Sequence, residues 1–277
     1  MYVARPGGSV GRNKYIALEN NLRAWMRRRG YEVFRAAACA KACARVRTAA
    51  LAEAAARPWT ERIREALSSE IRAPWRRAHV ALDLTDDVRA VLTAATARAA
   101  PSLSAAGIDD DAYLVELSCM VAFPGATEQA SHADVPRASE TPTATLWVLL
   151  QDVALESGPT YVYPDDCDAR ALTLATEARR PTHYAPDGEP EADTAPSDAP
   201  AAVALTGVAG DAVAMDCRLV HYGGANASAK PRVQLSATFR RGEGGGDGFT
   251  YRLRESLPPL TLGDARRLND TGIRVIS

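Results

Sequence analysis

Two histidines and one carboxylate dominate the chemistry this chain can offer: His132-Ala133-Asp134, answered far downstream by His221. On a β-strand residues i and i+2 point the same way, so one strand can present an imidazole and a carboxylate to a single metal ion. His221 follows the alternating run Gly210-Asp211-Ala212-Val213-Ala214-Met215-Asp216 and can close a set of two histidines and one carboxylate. Such a facial set leaves coordination positions open and suits non-haem Fe(II) oxygen chemistry, whereas a structural zinc site normally closes with four protein ligands. The chain has four histidines, and the other two, His79 and His183, have no comparable context.

Further residues fall into order around these three. Gln129-x-x-His132-x-Asp134 follows a segment ending at Pro124-Gly125, and then come Leu146-Trp147-Val148-Leu149-Leu150-Gln151-Asp152, Glu156-Ser157-Gly158-Pro159-Thr160, Gly210-Asp211, His221, Asn226-x-Ser228 and Arg232. In this order they resemble the phytanoyl-CoA dioxygenase family of Fe(II)/2-oxoglutarate oxygenases. The resemblance spans roughly residues 29–240, since Arg29-Gly30-Tyr31-Glu32-Val33 is similar to that family's opening strand. It implies His132, Asp134 and His221 as the catalytic metal ligands. It also implies that Arg232, at 232 − 221 = 11 residues beyond the second histidine, grips the distal carboxylate of 2-oxoglutarate. A planar guanidinium that stays charged in a pocket and offers two parallel hydrogen bonds suits that task. Gln129 and Thr160 match positions that help bind the cosubstrate through amide and hydroxyl groups.

The same resemblance implies Fe(II) as metal, 2-oxoglutarate and O2 as cosubstrates, release of succinate and CO2, and hydroxylation of a small-molecule or lipid-like substrate, with desaturation or cyclisation left open. Halogenation normally needs the carboxylate ligand replaced by a small residue, and Asp134 occupies that place. The chain departs from the family at Pro164-Asp165-Asp166-Cys167, where Pro-Gly-Ser-His is usual, so its substrate loops carry no analogy. Plainer readings stand beside these. Gln129 and Thr160 also fit turn or strand-end hydrogen bonding, Arg232 an edge ion pair, Asn226 the shaping of a turn, and Trp147 a core position. The alternative function is a non-catalytic metal- or 2-oxoglutarate-binding or regulatory jelly-roll protein.

The elements that must position these residues follow from periodicity. Leu18, Leu22, Trp25 and Met26 recur at helical spacing before Gly30, which is placed to end that helix in the left-handed conformation. Alanine dominates residues 36–56; Thr60 caps a helix carrying Ile63, Leu67 and Ile71; Thr85 with Asp86 and Asp87 starts another carrying Val88, Val91 and Leu92. From Ala112 the period changes to two, placing Tyr113, Val115, Leu117, Cys119, Val121 and Phe123 on one face and Glu116 and Ser118 on the other. Short strands follow at Leu146–Gln151, Tyr161–Tyr163, Val203–Leu205, Ala212–Cys217 and Arg232–Arg240. In the last, Arg232, Gln234, Ser236 and Thr238 share a polar face opposite Val233, Leu235, Ala237 and Phe239, as expected of a strand lining a ligand cavity.

Many short strands without βαβ alternation predict a mainly β core, a double-stranded β-helix (jelly roll, cupin-like) buttressed by N-terminal helices. The expected organisation is one domain over 1–277: a helical part at 1–110, a jelly-roll core at 111–255 with a mobile insertion or lid at 165–202, and a C-terminal extension at 256–277. Prolines at 181, 186, 190, 196 and 200 in an acidic, Ala-rich stretch underlie the insertion. The Gly242–Gly248 run lacks the ending of a phosphate-binding loop and reads as a hairpin connection.

A net charge of −1 supplies no general attraction to nucleic acid or acidic membranes. No apolar run reaches the length of about 20 residues that spans a bilayer, and oligomeric state has no signature. The five cysteines form no CxxC pair, which favours a reducing, cytoplasmic setting. The Arg-rich, acid-poor start is open to a second reading, as an organelle-targeting segment. Cys39 and Cys43 share a helix face and read as small buried residues.

Overall fold

Alternation along Arg232–Arg240 places that segment at the middle of a sheet with two different faces. In the computed structural model, which describes residues 29–56, 76–136, 139–164, 201–242 and 253–269, nine strands are seen among the described residues. They are β1 (Tyr31–Phe34), β2 (Arg77–Ala81), β3 (Tyr113–Ala122), β4 (Thr143–Leu149), β5 (Thr160–Val162), β6 (Val203–Ala204), β7 (Ala212–Asp216), β8 (His221–Gly223) and β9 (Arg232–Arg240). Six form an antiparallel sheet in the order β1-β7-β4-β9-β3-β2, and three form a smaller one in the order β6-β5-β8. Tyr31, Trp147, Val213 and Met215 from the large sheet pack with Val162, Leu205 and Leu219 from the small-sheet side, so the two layers face each other across a shared cluster. This is the jelly-roll arrangement the alternation predicts.

The outer face of the large sheet carries Ala78, Val80, Leu117, Cys119, Leu146, Val148, Val233, Leu235, Ala237 and Phe239, all buried in one cluster with two helices. These are α1 (Ala40–Ala56) and α2 (Asp86–Ala105). Small residues on α1, including Ala42, Cys43, Ala50 and Ala54, let it lie close to the sheet. Thr85 caps α2, its hydroxyl accepting from the Val88 amide, and Asp86 and Asp87 sit in the first turn where the helix dipole favours them. Leu260, Leu262, Ala265 and Leu268, around the short helix α3 (Leu262–Ala265), join the same core.

Three boundaries differ from expectation for visible reasons. Helix α1 begins at Ala40 instead of residue 36, because Ala36 has φ of 49° and the Ala36 and Ala38 amides donate to Asp211 and to the Gly210 carbonyl. Strand β4 begins three residues early, at Thr143, where its pairing with β9 begins. In β3 a bulge between Leu114 and Glu116 resets the alternation: Leu114 joins the helix-side core, while Tyr113, expected on that face, is exposed. Cys39 is also exposed, contrary to its reading as a buried partner of Cys43. The expected helix carrying Leu18 to Met26, the one capped by Thr60 and carrying Ile63, Leu67 and Ile71, residues 165–200 of the insertion and the glycine run from 243 onward lie outside the described residues. No helix of the described residues is long and apolar enough to cross a membrane.

Candidate metal centre

His221 opens β8 and forms an antiparallel bridge with His132, each amide donating to the other's carbonyl at 2.9 and 2.8 Å. His132 and Asp134 do not share a regular strand: His132 lies in that single bridge and Asp134 in a bend, fixed because its amide donates to the Cys217 carbonyl at 2.9 Å. Asp134 is positioned by Cys217, in the turn just after β7, rather than by strand alternation. Even so, one ligand atom from each of His132, Asp134 and His221 falls within 4.8 Å of the others. An Asp134 oxygen stands 3.7 Å from His221 Nε2 and 3.9 Å from His132 Nε2.

Both imidazoles are oriented in the same way. His132 Nδ1 lies 2.8 Å from the Ala130 carbonyl and His221 Nδ1 3.0 Å from the Leu219 carbonyl. A carbonyl can only accept, so Nδ1 carries a proton and Nε2 is the nitrogen turned toward Asp134. Two neutral imidazole nitrogens and one hard carboxylate oxygen fit a divalent first-row metal, and among the described residues the group holds no fourth side-chain ligand. Trp147, read from sequence as core, packs in the inter-sheet cluster and also sets its ring edge-on to His221 at 5.4 Å.

Arg232 enters the same interior from the start of β9. It is 1% exposed, and its Nη1 reaches Gln234 Oε1 at 3.2 Å and Thr160 Oγ1 at 3.4 Å, while its Nε has no partner among the described residues. Burial, helped by the charge of Arg77, pulls its pKa down to about 9. Arg77 is the residue the sequence reading missed. It flanks Ala122 opposite Arg232 in the strand register, is itself buried, and donates to the carbonyls of Thr127, Gly223 and Gly224. Its signal was the alternation Arg77-Ala78-His79-Val80, polar inward and apolar outward.

Thr160 therefore stands beside Arg232, whereas the Gln129 carbonyl oxygen accepts from the Gly223 amide at 2.9 Å and ties the His132 segment to β8. Asn226 uses both ends of its amide to hold the loop between β8 and β9, donating to the Ala122 and Lys230 carbonyls and accepting from Ser228. Gly158, at φ +68°, allows β5 to approach: a Cβ there would stand 2.5 Å from the Gly224 and Ala225 carbonyl oxygens.

A second polar group lines the interior beyond the triad. Glu116 Oε1 accepts from His79 Nε2 and Ser118 Oγ at 2.8 Å each, and Oε2 accepts from Thr238 Oγ1 at 2.8 Å. Thr238 then meets Thr145 at 2.8 Å, and Thr145 meets Cys217 Sγ at 3.2 Å. Burial pushes the Glu116 pKa upward, but the hydrogen bonds and charge of His79, with the hydroxyls of Thr238 and Ser118, outweigh it and hold the group at about 2.

The family model described as phytanoyl-CoA dioxygenase matches residues 26–233. Among solved structures, the epimerase SnoN in complex with Fe3+, alpha ketoglutarate and nogalamycin RO is 22% identical, with a TM-score of 0.53 over 89% of this chain and 99% of its own. The non-heme alpha ketoglutarate dependent carbocyclase SnoK from nogalamycin biosynthesis is 20% identical, with a TM-score of 0.52 over 87% and 96%. EctD from S. alaskensis in its apoform is 19% identical, with a TM-score of 0.54 over 88% and 85%. At these identities the likeness establishes the fold. No curated protein sequence matches the chain.

Proposed function

Because the chain belongs to the phytanoyl-CoA dioxygenase family, we propose that it is an Fe(II)- and 2-oxoglutarate-dependent oxygenase acting on a small molecule, with hydroxylation as the default outcome and succinate and CO2 as coproducts. The observation that carries this reading is the pair of histidines, each anchored through Nδ1 to a backbone carbonyl, whose Nε2 atoms converge with Asp134. His132, Asp134 and His221 would hold the iron. When bound, iron with 2-oxoglutarate and O2 supplies the oxidising power that breaks a substrate C–H bond.

The chain's own residues do the rest. Arg232, buried and with an Nε that has no partner among the described residues, would offer the distal carboxylate of 2-oxoglutarate a charge-assisted fork. Thr160 lies beside that guanidinium and can add a hydroxyl contact. Arg77 braces the carbonyls of Thr127, Gly223 and Gly224, and so holds the segments carrying His132 and His221 in place. Trp147, edge-on to His221, helps hold that ring in its orientation. An epimerase and a carbocyclase share this fold, so stereochemical inversion and ring closure stand beside hydroxylation as outcomes for this chain.

Anaerobic titration with Fe(II) and then 2-oxoglutarate tests the reading. A weak visible charge-transfer band that appears only when both are present is the expected result. Tight 2-oxoglutarate binding without the band would instead favour a non-catalytic binding protein, and no binding at all would overturn the reading.

A further inference from the structure

The reachable part of the interior wall is confined to a few side chains. On β9 and β4 the inward residues Gln234, Ser236, Thr238 and Thr145 are 2% exposed or less. The side chains of Asp134, His132, His79 and Glu116 keep 28%, 17%, 21% and 11% of their surface, and Met120 is half-buried. His79 and Met120 are direct cross-strand partners on β2 and β3, and Glu116 follows on the same inward face of β3. Side chains connect Glu116 to the triad: Thr238 bridges it to Thr145 with two contacts of 2.8 Å, Thr145 meets Cys217 Sγ at 3.2 Å, and the Cys217 carbonyl accepts from the Asp134 amide at 2.9 Å. The Glu116 wall and the triad thus belong to one connected stretch of the interior.

That wall is chemically biased. An ionised carboxylate only accepts hydrogen bonds, so Ser118 and Thr238 both point their protons at Glu116, and Thr145 must donate to Thr238. Glu116 Oε2 takes only the Thr238 bond and keeps acceptor capacity toward the interior. Holding an ionised carboxylate inside a sheet costs desolvation, and an apolar residue of similar volume is often as stable or more so. Packing alone gives no reason for an acid here, whereas recognition of a hydrogen-bond donor does.

Resting on the oxygenase reading above, we propose that Glu116, held by His79, Ser118 and Thr238, is the substrate-selecting anion of the site and takes a donor group of the substrate, a hydroxyl or a protonated amine. A hydrocarbon chain against this wall would strip a carboxylate of water with nothing in return, and a substrate carboxylate would be repelled.

Size-matched ring probes test this on the full chain loaded with Zn(II) and 2-oxoglutarate, by saturation-transfer NMR and calorimetry. The probes are cyclohexylamine, cyclohexane-1,2-diol, methylcyclohexane and cyclohexanecarboxylate. The expected result is that the amine or the diol binds at least about tenfold more tightly than the other two, the scale of a hydrogen bond to a charged group. An advantage confined to the amine identifies an ammonium substrate; an equal or larger one for the diol identifies a hydroxylated substrate. Glu116→Gln should remove the amine's advantage by about tenfold and the diol's by about threefold. Equal or tighter binding of the hydrocarbon or the carboxylate, no binding by either donor probe, or an unchanged ranking in Glu116→Gln overturns the proposal. The wild-type ranking stands by itself should the variant not fold. The Fe(II)–2-oxoglutarate band, recorded anaerobically on the same purified protein loaded with Fe(II) in place of Zn(II), separates the two readings: its absence sinks the oxygenase reading as well, and its presence with the wrong ranking sinks only this one.

Discussion

The two faces of β9 are equally buried and serve opposite ends. Every residue from Arg232 to Arg240 is buried, yet Val233, Leu235, Ala237 and Phe239 pack under helices α1 and α2 while Arg232, Gln234 and Thr238 make hydrogen bonds in the interior between the sheets. Burial on the first face is stabilising by itself, at about 25 cal/mol per Å² of apolar surface. Burial on the second costs stability unless each polar atom finds a partner. Arg232 shows that cost: its Nε has no partner among the described residues, and burial lowers its pKa to about 9. Apolar alternation here marks what holds the fold, and polar alternation marks what the fold is held for.

The sharpest break of that comparison lies at the triad the polar face surrounds. Asp134→Ala removes the one anionic ligand and should cut iron-dependent 2-oxoglutarate turnover by more than about a hundredfold with little change in melting temperature. Turnover near the wild-type rate would refute the ligand assignment. Next come two substitutions on β9 itself. Phe239→Ala should lose about 3–5 kcal/mol of folding stability, read by urea denaturation, while the molecules that remain folded bind 2-oxoglutarate normally. Arg232→Leu should do the reverse. The apo protein should be as stable as wild type or more so, because a buried, depressed cation is gone, whereas 2-oxoglutarate affinity by calorimetry should fall about 10²- to 10³-fold, the scale of breaking a buried ion pair. If both variants lost stability alike, the division between the faces would be wrong.

A pH series sharpens it further. The folded pKa of Glu116 is depressed to about 2 from an ordinary 4.5, so its stabilising share is complete above about pH 5 and is lost as pH falls from there through about 2. The shift corresponds to roughly 3 kcal/mol at most. The difference in unfolding free energy between wild type and Glu116→Gln should therefore shrink by about that amount between pH 5 and pH 2. A difference that is flat across this window would mean that the carboxylate gains nothing from His79, Ser118 and Thr238.

How much of this was legible in the sequence follows the same division. Strand β9 has the bounds its alternation predicts, because period two reports faces directly. The phase of β3 was lost at the bulge before Glu116, since an extra residue flips the faces and leaves no mark in composition. His79 had no context in the sequence because its partner, Glu116, lies 37 positions away and the β2–β3 register exists only in the fold. Arg77 went unread for the same reason: its neighbours are carbonyls of residues 127, 223 and 224. The triad was legible through residue order, but the placing of Asp134 was not, since it depends on a backbone bond to Cys217.

The smallest expected effect tests the least secure member of the polar face. Thr160 Oγ1 reaches both Gln234 Oε1 and Arg232 Nη1 at 3.4 Å, the long end of hydrogen bonding, so these contacts hold little of the fold together. If Thr160 serves the cosubstrate, its hydroxyl gains a carboxylate partner only when 2-oxoglutarate is present, and removing it should cost about 0.5–1.5 kcal/mol of binding and almost none of folding. Thr160→Val keeps the branched shape on β5 and should raise the 2-oxoglutarate requirement about three- to tenfold. Thr160→Ser should restore most of that, since it returns the hydroxyl and loses only a methyl. The plain strand-end reading makes the opposite forecast, a lower melting temperature for the valine variant with an unchanged 2-oxoglutarate requirement. Measuring both quantities on both variants separates a residue that completes the Arg232 pocket from one that merely lines it.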